Sequence, residues 1–359
     1  MRLGLAFNQK PSSGLPDRDV AFSAIDQPHT LDAFAEWDEP ATIDAVADAL
    51  APLGEVVRLE AVDDFPSRLA DANVDLLFNI AEGQAGPNRE AHVPAIAEFL
   101  GVPYTASDPL TLAIALHKAR AKDVFAARGL PTAPYHLVED DSAFDLPPAV
   151  RFPVFLKPAW EGSSKGIAEA SFAEDAAQAA ERAAHLLRTY QQPVLVESYL
   201  PGDEFTVAVL GNGAEARALP IIRFRFDSLP SGALPIMGYE AKWIWDDPAD
   251  PLDVLECPAR IPEALAERIA SVAVRAYRAL GCRDWARVDV RLDEDGIPQL
   301  LEVNPLPGII PDPADNSCFP RAATVAGISY DDLIQSVARL AWRRVTGGDL
   351  PRPASRVVA

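Results

Sequence analysis

The chain has 359 residues, 49% of them apolar, and a formal net charge of −21. That length accommodates two or three domains around real cores, and the apolar share excludes a disordered acidic tail. The charge excludes nucleic acid as a partner, since backbone binding needs clustered Lys and Arg, and no run nears the roughly 18 apolar residues of a membrane helix. Cys257, Cys282 and Cys318 are widely spaced without a C-x-x-C pair, so neither a disulfide framework nor a zinc site is expected. A cytoplasmic location is the default.

Met1 to Phe7 is apolar but too short for a signal peptide, and it turns polar at Asn8, so Arg2 to Phe7 reads as a first strand. Residues 8 to 36 carry no periodicity and are either a long substrate loop or a disordered insert. Pro40 to Leu50 reads as a helix with Ile43, Val46, Ala47 and Leu50 on one face. Strands at Val56–Leu59 and Val74–Asn79 and a helix at Ala91–Leu100 complete an alternating α/β unit with a mostly parallel sheet, whose ligands favour the carboxyl ends of the strands.

One helix is expected over Thr111–Arg128, stopped by Gly129 and Pro131. Next come a strand at Val154–Pro158, a polar loop at Glu161–Gly166, an alanine-rich helix at Ala173–Leu187 and a strand at Val194–Glu197. Strands follow at Phe205–Leu210 and Leu219–Phe226. Residues 228 to 258 are proline-rich and irregular around a core at Gly238–Trp245. Helices at Pro262–Leu280 and Asp331–Trp342 flank a hairpin, and the tail from Gly347 frays.

That hairpin, residues 286 to 308, carries the strongest chemistry. An acidic turn, Asp293 to Gly296, folds one strand-like run back beside another. Alternation puts Glu302 and Asn304 on one face, with Asp289 beside them. Two carboxylates and an amide make a hard-oxygen patch that suits magnesium, and with it a nucleotide; the alternative is a solvated turn. Pro305, Pro307 and Gly308 directly after Asn304 favour the first reading.

In so acidic a chain a phosphate cleft must be locally basic, and there are only six lysines: Lys10, Lys118, Lys122, Lys157, Lys165 and Lys242. Lys157 ends an apolar strand, where its ammonium needs an anion or water. Gly162-Ser163-Ser164-Lys165-Gly166 is either a surface turn or a loop that wraps phosphates with backbone N–H groups. Glu197 and Glu204 either accept from ribose hydroxyls or merely flank a turn. Arg287 shares the face of Asp289 and either grips an oxyanion bidentately or partners an acid. Tyr239 to Trp243 is either a lid or an anchored loop. The five histidines show no metal-ligand or serine-nucleophile spacing.

Taken in order, six segments resemble the ATP-grasp ligases, and among them the D-alanine–D-alanine ligase family, from about residue 74 to 342. They are Gly101–Ser107, His117–Lys122, Phe155–Gly166, Glu197–Val207, Gly238–Trp243 and Leu301–Gly308. The resemblance implies an open α/β N-terminal domain (1–105), a central ATP-grasp lobe (106–196), a C-terminal lobe with the metal site (197–346) and a frayed tail (347–359). It implies that Lys118 and Lys157 hold ATP phosphates, Ser163 and Ser164 cover them, Glu197 and Leu200 meet adenine, and Glu204 binds ribose. Lys242 lies in what resembles the mobile closing loop, and Arg287 resembles the arginine that steadies the transferred phosphoryl group. Asp289, Glu302 and Asn304 resemble the ligands of two magnesium ions, with manganese as an alternative. Gly308 and Ser317 resemble contacts to the acceptor's carboxylate.

The donor half departs from that pattern. The family's early glycine pair is missing. Glu39 is the stand-in for the acid that holds the donor's ammonium, and Ala81–Glu90 replaces another substrate motif, leaving Glu82 as a candidate contact. The expected function is ATP-dependent joining of two small amino acids through an acylphosphate, D-alanine–D-alanine ligase-like. The alternatives are a ligase of specialised metabolism with a different donor, or a non-catalytic nucleotide-binding module. Small-molecule amino acids are the expected partners, and a homodimer stays open.

Overall fold

The computed structural model describes residues 1–11, 34–140, 144–230, 233–236, 238, 253–312 and 315–350. The first strand, β1 (Arg2–Phe7), runs parallel to β2 (Glu55–Glu60) on one side and β3 (Leu76–Asn79) on the other. Its period-two pattern sorts the two faces. Leu3, Leu5 and Phe7 enter one core with α1 (Pro40–Leu50), and Ala6 enters another with Leu59 and Leu77. The second face is covered by α2 (Phe65–Ala72) and α3 (His92–Leu100), through Phe65, Leu69, Val93 and Ala97. The sequence pattern does not mark α2 as a helix. Pro66 interrupts its pattern, yet a proline in the first turn removes only a donor that lacks an intrahelical partner.

The single helix expected over Thr111–Arg128 is two: α4 (Pro109–Leu116) and α5 (Lys118–Ala127), broken at His117 with φ −85 and ψ 92. The break has a backbone cause, since Lys118 N–H donates 2.8 Å to the Ala159 carbonyl. That bond pins the start of α5 to the strand that carries Lys157.

The central sheet has the order β4-β7-β5-β6, built from β4 (Tyr135–Val138), β5 (Val154–Pro158), β6 (Phe172–Ala173) and β7 (Val194–Ser198). Its cover is α6 (Ala176–Tyr190), which starts later than expected because Asp175 caps it, accepting from Ala177 and Gln178 N–H at 2.9 and 3.0 Å, while Ala173 pairs with Val154. Strand β7 straddles the 196/197 boundary expected between lobes.

The third sheet runs β11-β10-β8-β12-β13, with β9 (Arg217–Ala218) also paired to β8 (Glu204–Leu210). Its other members are β10 (Ile222–Phe224), β11 (Leu255–Glu256), β12 (Trp285–Leu292) and β13 (Pro298–Asn304). The strand expected over Leu219–Phe226 is shorter, β10 alone, because Pro220 has no ladder donor. Helix α7 (Glu263–Leu280) buries Ile269, Val272, Ala273 and Ala276 against this sheet together with α5. Two final helices follow: α8 (Cys318–Val325) packs against β8 of the third sheet, and α9 (Tyr330–Thr346) packs against α1 and β3 of the first. Phe319, Leu333, Ile334 and Val337 share the core of Leu3 and Leu5.

Asp284 clasps the third sheet to the turn that follows the first sheet and to the last helix. Fully buried, it accepts from Arg344 Nη2 (2.9 Å), Ala106 N–H (2.9 Å) and Asn212 Nδ2 (2.7 Å). Asp284→Ala strips three donors of one acceptor, and we expect it to lower the unfolding free energy by about 3 kcal/mol. Urea denaturation followed by tryptophan fluorescence measures this, and an unchanged midpoint would reject the clasp.

Candidate active site

The cleft between the central and third sheets gathers the residues singled out in the sequence. Strands β12 and β13 pair antiparallel with Asp289 opposite Glu302 and Arg287 opposite Asn304. Val303 points into the core at 2% exposure, so Glu302 and Asn304 face the cleft by alternation. Asp289 is held from every side. Arg287 reaches both its oxygens at 3.1 and 3.0 Å, Thr206 Oγ1 donates to Oδ1 at 2.6 Å, and Asn304 Nδ2 donates to Oδ2 at 3.0 Å. Burial would pull the Arg287 guanidinium down, but Asp289 beside it holds it above its ordinary range.

Opposite this hairpin stand the lysines. Lys118 Nζ lies 3.2 Å from Glu302 Oε2 and donates to the Glu161 carbonyl. Lys157 and Lys122 each lie 2.7 Å from one oxygen of Glu197, all three side chains buried. Two amines thus face one carboxylate. Burial pulls Lys122 down, whereas Glu197 and Glu302 overcome burial to hold Lys157 up. Arg291, also buried, organises the neighbouring edge: it donates to the Leu200 carbonyl (2.7 Å), Glu204 (2.8 Å) and Tyr199 (3.1 Å). Among the described residues no three of His, Cys, Asp or Glu cluster to hold a metal ion. Asp289, Glu302 and the amide oxygen of Asn304 are a smaller hard-oxygen set, which fits a magnesium ion that takes phosphate oxygens as well.

The glycine loop lies at the same mouth, with Ser163 and Ser164 both left-handed at φ 49 and 61. Around it runs a closed ring of alternating charge. Glu36 pairs with Arg89 (2.7 Å) and Lys165 (2.8 Å), and Glu161 pairs with the same Arg89 (3.6 Å) and the same Lys165. All four side chains are at most 8% exposed. Burial would raise Glu36, but Arg89 and Lys165 hold it far below the usual carboxylate range.

Glu39 sits at the start of α1 with its side chain 62% exposed, 3.3 Å from Lys10, whereas the Glu36 side chain three residues earlier is buried. Glu82 does join the ring's surroundings: burial, then Glu90 and Glu36, hold its carboxyl well above the ordinary range, and burial puts Glu90 at about 7 against the pull of Arg89. Ser317 is buried ahead of α8, Gly308 is exposed after Pro307, and Lys242 lies outside the described residues, as does most of the Gly238–Trp245 core. Glu36, Arg89, Glu161 and Arg291 are given no role in the sequence, whereas Lys122 and Lys165 are among the six lysines singled out there; of the four, only Arg291 carried a signal, a cation set between Val290 and Leu292.

The Glu197 carboxyl is held at about 2, where burial alone would raise it, because Lys122 and Lys157 outweigh the burial. A folded value below the ordinary one means the stabilisation is complete above about pH 4.5 and is lost as pH falls towards 2. Glu197→Gln should cost roughly 3 kcal/mol at pH 7 and flatten the acid limb of the stability curve. Thermal melts from pH 7 to 3 measure it; parallel curves for the two proteins would contradict the assignment.

Comparison with known proteins agrees with this architecture. A family model described as D-ala D-ala ligase C-terminus matches residues 124–339. An uncharacterised protein of Sinorhizobium fredii is 36% identical over 277 residues, 77% of each chain. D-alanine–D-alanine ligases of Bordetella petrii and Bordetella pertussis are 36% and 37% identical, covering 76% and 75% of this chain and 77% and 79% of theirs. The fold matches the solved D-alanine–D-alanine ligase of Bacillus anthracis, free (TM-score 0.70, 24% identity) and complexed with ATP (0.69, 22%), each over 97% of this chain and 100% of that one. The ATP-grasp architecture and an identity above one-third over three-quarters of the length lead to one conclusion: the chain belongs to the D-alanine–D-alanine ligase family.

Proposed function

We propose that the chain is an ATP-dependent, ADP-forming carboxylate–amine ligase that joins two small amino acids through an acylphosphate. The observation that carries this reading is the convergence of Lys118 and the Lys122–Glu197–Lys157 triad on the Asp289–Glu302–Asn304 edge. Two amines against one carboxylate leave the triad receptive to an added anion, and the hairpin supplies hard oxygens beside it.

In this reading Lys118 and Lys157 bind the ATP phosphates, and Ser163 and Ser164 cover them. Arg291 fixes the Leu200 main chain and the Glu204 carboxylate, and so positions the groups that meet adenine and ribose. The Glu197 carboxylate is committed to its two lysines, so an adenine contact at this position falls to its main chain. Asp289, Glu302 and Asn304 would hold magnesium, two ions by the family pattern or manganese in its place, which supplies charge neutralisation at the phosphates when bound. A donor carboxylate oxygen attacks the γ-phosphorus, the bond to the bridging oxygen breaks and ADP leaves. The acceptor amine then attacks the acyl carbon, the carbon–oxygen bond to phosphate breaks, and inorganic phosphate departs as the amine loses its proton. Arg287 faces the charge that develops in both steps. Gly308 and Ser317 border the acceptor, and Glu82 the donor side.

A second reading, a ligase with a donor other than D-alanine, is favoured by one observation. Glu36 already accepts four hydrogen bonds: two from Arg89 Nη2, one from Lys165 Nζ and one from Gly162 N–H. A carboxylate has about four lone-pair sites, so a donor ammonium could reach Glu36 only by displacing Arg89 or Lys165, just as a magnesium ion at Asp289 would have to displace one of its four donors.

ADP release measured across a panel of D- and L-amino acids and N-blocked derivatives tests both readings. Release stimulated by D-alanine alone supports the first, and release with another donor supports the second. Nucleotide binding without amino-acid-stimulated release would leave a non-catalytic module. Lys157→Ala should lower kcat/KM by roughly a thousandfold with the fold intact by circular dichroism. Unchanged turnover at saturating ATP would reject its phosphate role.

A further inference from the structure

We propose that the ring Glu36–Arg89–Glu161–Lys165 is the positioning device that seats the glycine loop for ATP, with Lys165 as its key member; the proposal rests on the ATP reading above. Consecutive left-handed residues are unfavourable for any side chain but glycine, and here both are serines, Ser163 and Ser164. Something outside the loop must hold them. Glu36 takes hold of the loop on both sides of the pair: Gly162 N–H donates to Oε1 at 2.8 Å and Lys165 Nζ to Oε2 at 2.8 Å. Gly162 has to be glycine for this approach, since a Cβ there would lie 2.3 Å from Glu36 Oε1. Inside the loop, Lys165 N–H closes the turn onto the Gly162 carbonyl at 2.9 Å.

The other half of the ring belongs to the N-terminal unit and is itself rigid. Asp38 N–H donates to the Asn8 carbonyl and Lys10 N–H to the Asp38 carbonyl, both at 2.9 Å, and Trp37 Nε1 to the Gly83 carbonyl at 3.1 Å. Arg89 adds a bond from Nη1 to the Trp160 carbonyl at 2.8 Å, one residue before Glu161. The ring therefore joins two domains across the mouth of the cleft. Its two cations and two anions cancel, so it fixes the loop without adding net charge beside the phosphates. Lys165 is the one member that lies within the loop and touches both acids.

Lys165→Met keeps the stem and removes the charge. Steady-state kinetics on the full chain, with ATP, magnesium and the most active amino-acid pair, should show KM for ATP raised roughly tenfold with kcat changed less than about threefold. ADP release without acceptor should rise, because a loosened loop admits water. Lys165→Arg should restore KM. Should Lys165→Met fail to fold, the near-isosteric Glu36→Gln carries the same expectation. A lowered melting temperature with KM for ATP unchanged would make the ring a structural salt bridge and overturn the proposal. A wild-type chain that binds no ATP would overturn the ATP reading itself, and the ring's role with it.

Discussion

The register of the β12–β13 pair is the constraint on which the site depends. Asp289 meets Glu302 and Arg287 meets Asn304 because the strands pair in that register and no other. A slip of one residue would send Val303 into the cleft and Glu302 into the core, since side chains alternate with period two. The buried positions Val288, Val290, Leu300 and Val303 fix that register from the opposite face, a register shift between Asp289 and Val290 letting Leu300 and Val303 share it despite their odd spacing. The carboxylate edge is thus specified by hydrophobic residues that never touch it. The acidic turn Asp293–Gly296 closes the hairpin, with Asp293 Oδ1 accepting from Asp295 and Ile297 N–H at 3.0 and 2.8 Å.

Burying so many charges is costly, and the structure offsets the cost by pairing nearly all of them. Lys118 meets Glu302, Arg291 meets Glu204, Arg287 meets Asp289, and the Glu36–Arg89–Glu161–Lys165 ring closes on itself. A buried pair is weak evidence of stability, because desolvation consumes much of the attraction, but it holds its members in one geometry. The Lys122–Glu197–Lys157 triad departs from one-to-one pairing, and it departs towards excess amine. A chain with a net charge of −21 can therefore offer an anion a receptive pocket, because the surplus is local.

How much of this was legible in the sequence follows from how local each signal is. The hairpin carboxylates, Asn304 and Lys157 were legible because each lies on or at the end of an apolar strand, where alternation and burial make a polar residue conspicuous. The helix break at His117 was not, since its cause is a carbonyl at Ala159 that lies far away in sequence. Glu36 was invisible for the same reason: its partners Arg89, Glu161 and Lys165 are distant, and its own segment has no periodicity. Glu39, at the start of α1, faces solvent at 62% exposure with Lys10 3.3 Å away. The parallel first sheet was readable from its alternation with helices; the return of α9 to that sheet was not, because amphipathic helices do not name the surface they cover.

That return matters for the chemistry. Phe319 and Val337 belong to the same core as Leu3 and Leu5, so the segment after Gly308, where the acceptor would sit, is anchored to the domain that carries Glu36 and Arg89. Tyr330 adds a bond from its hydroxyl to the Ile309 carbonyl at 3.0 Å. The same core also takes in Ala208, Leu210, Ile222, Leu255 and Trp285 of the third sheet, so the first and third sheets form one body that the Asp284 clasp braces, and the alternating ring ties the glycine loop of the central lobe to it. The clasp is fully buried and fixed by main-chain and side-chain donors alike. The ring depends on a six-residue loop with two strained serines. Of the two junctions the ring is therefore the one whose geometry rests on charge pairing, because the loop it seats would not hold two left-handed serines unaided.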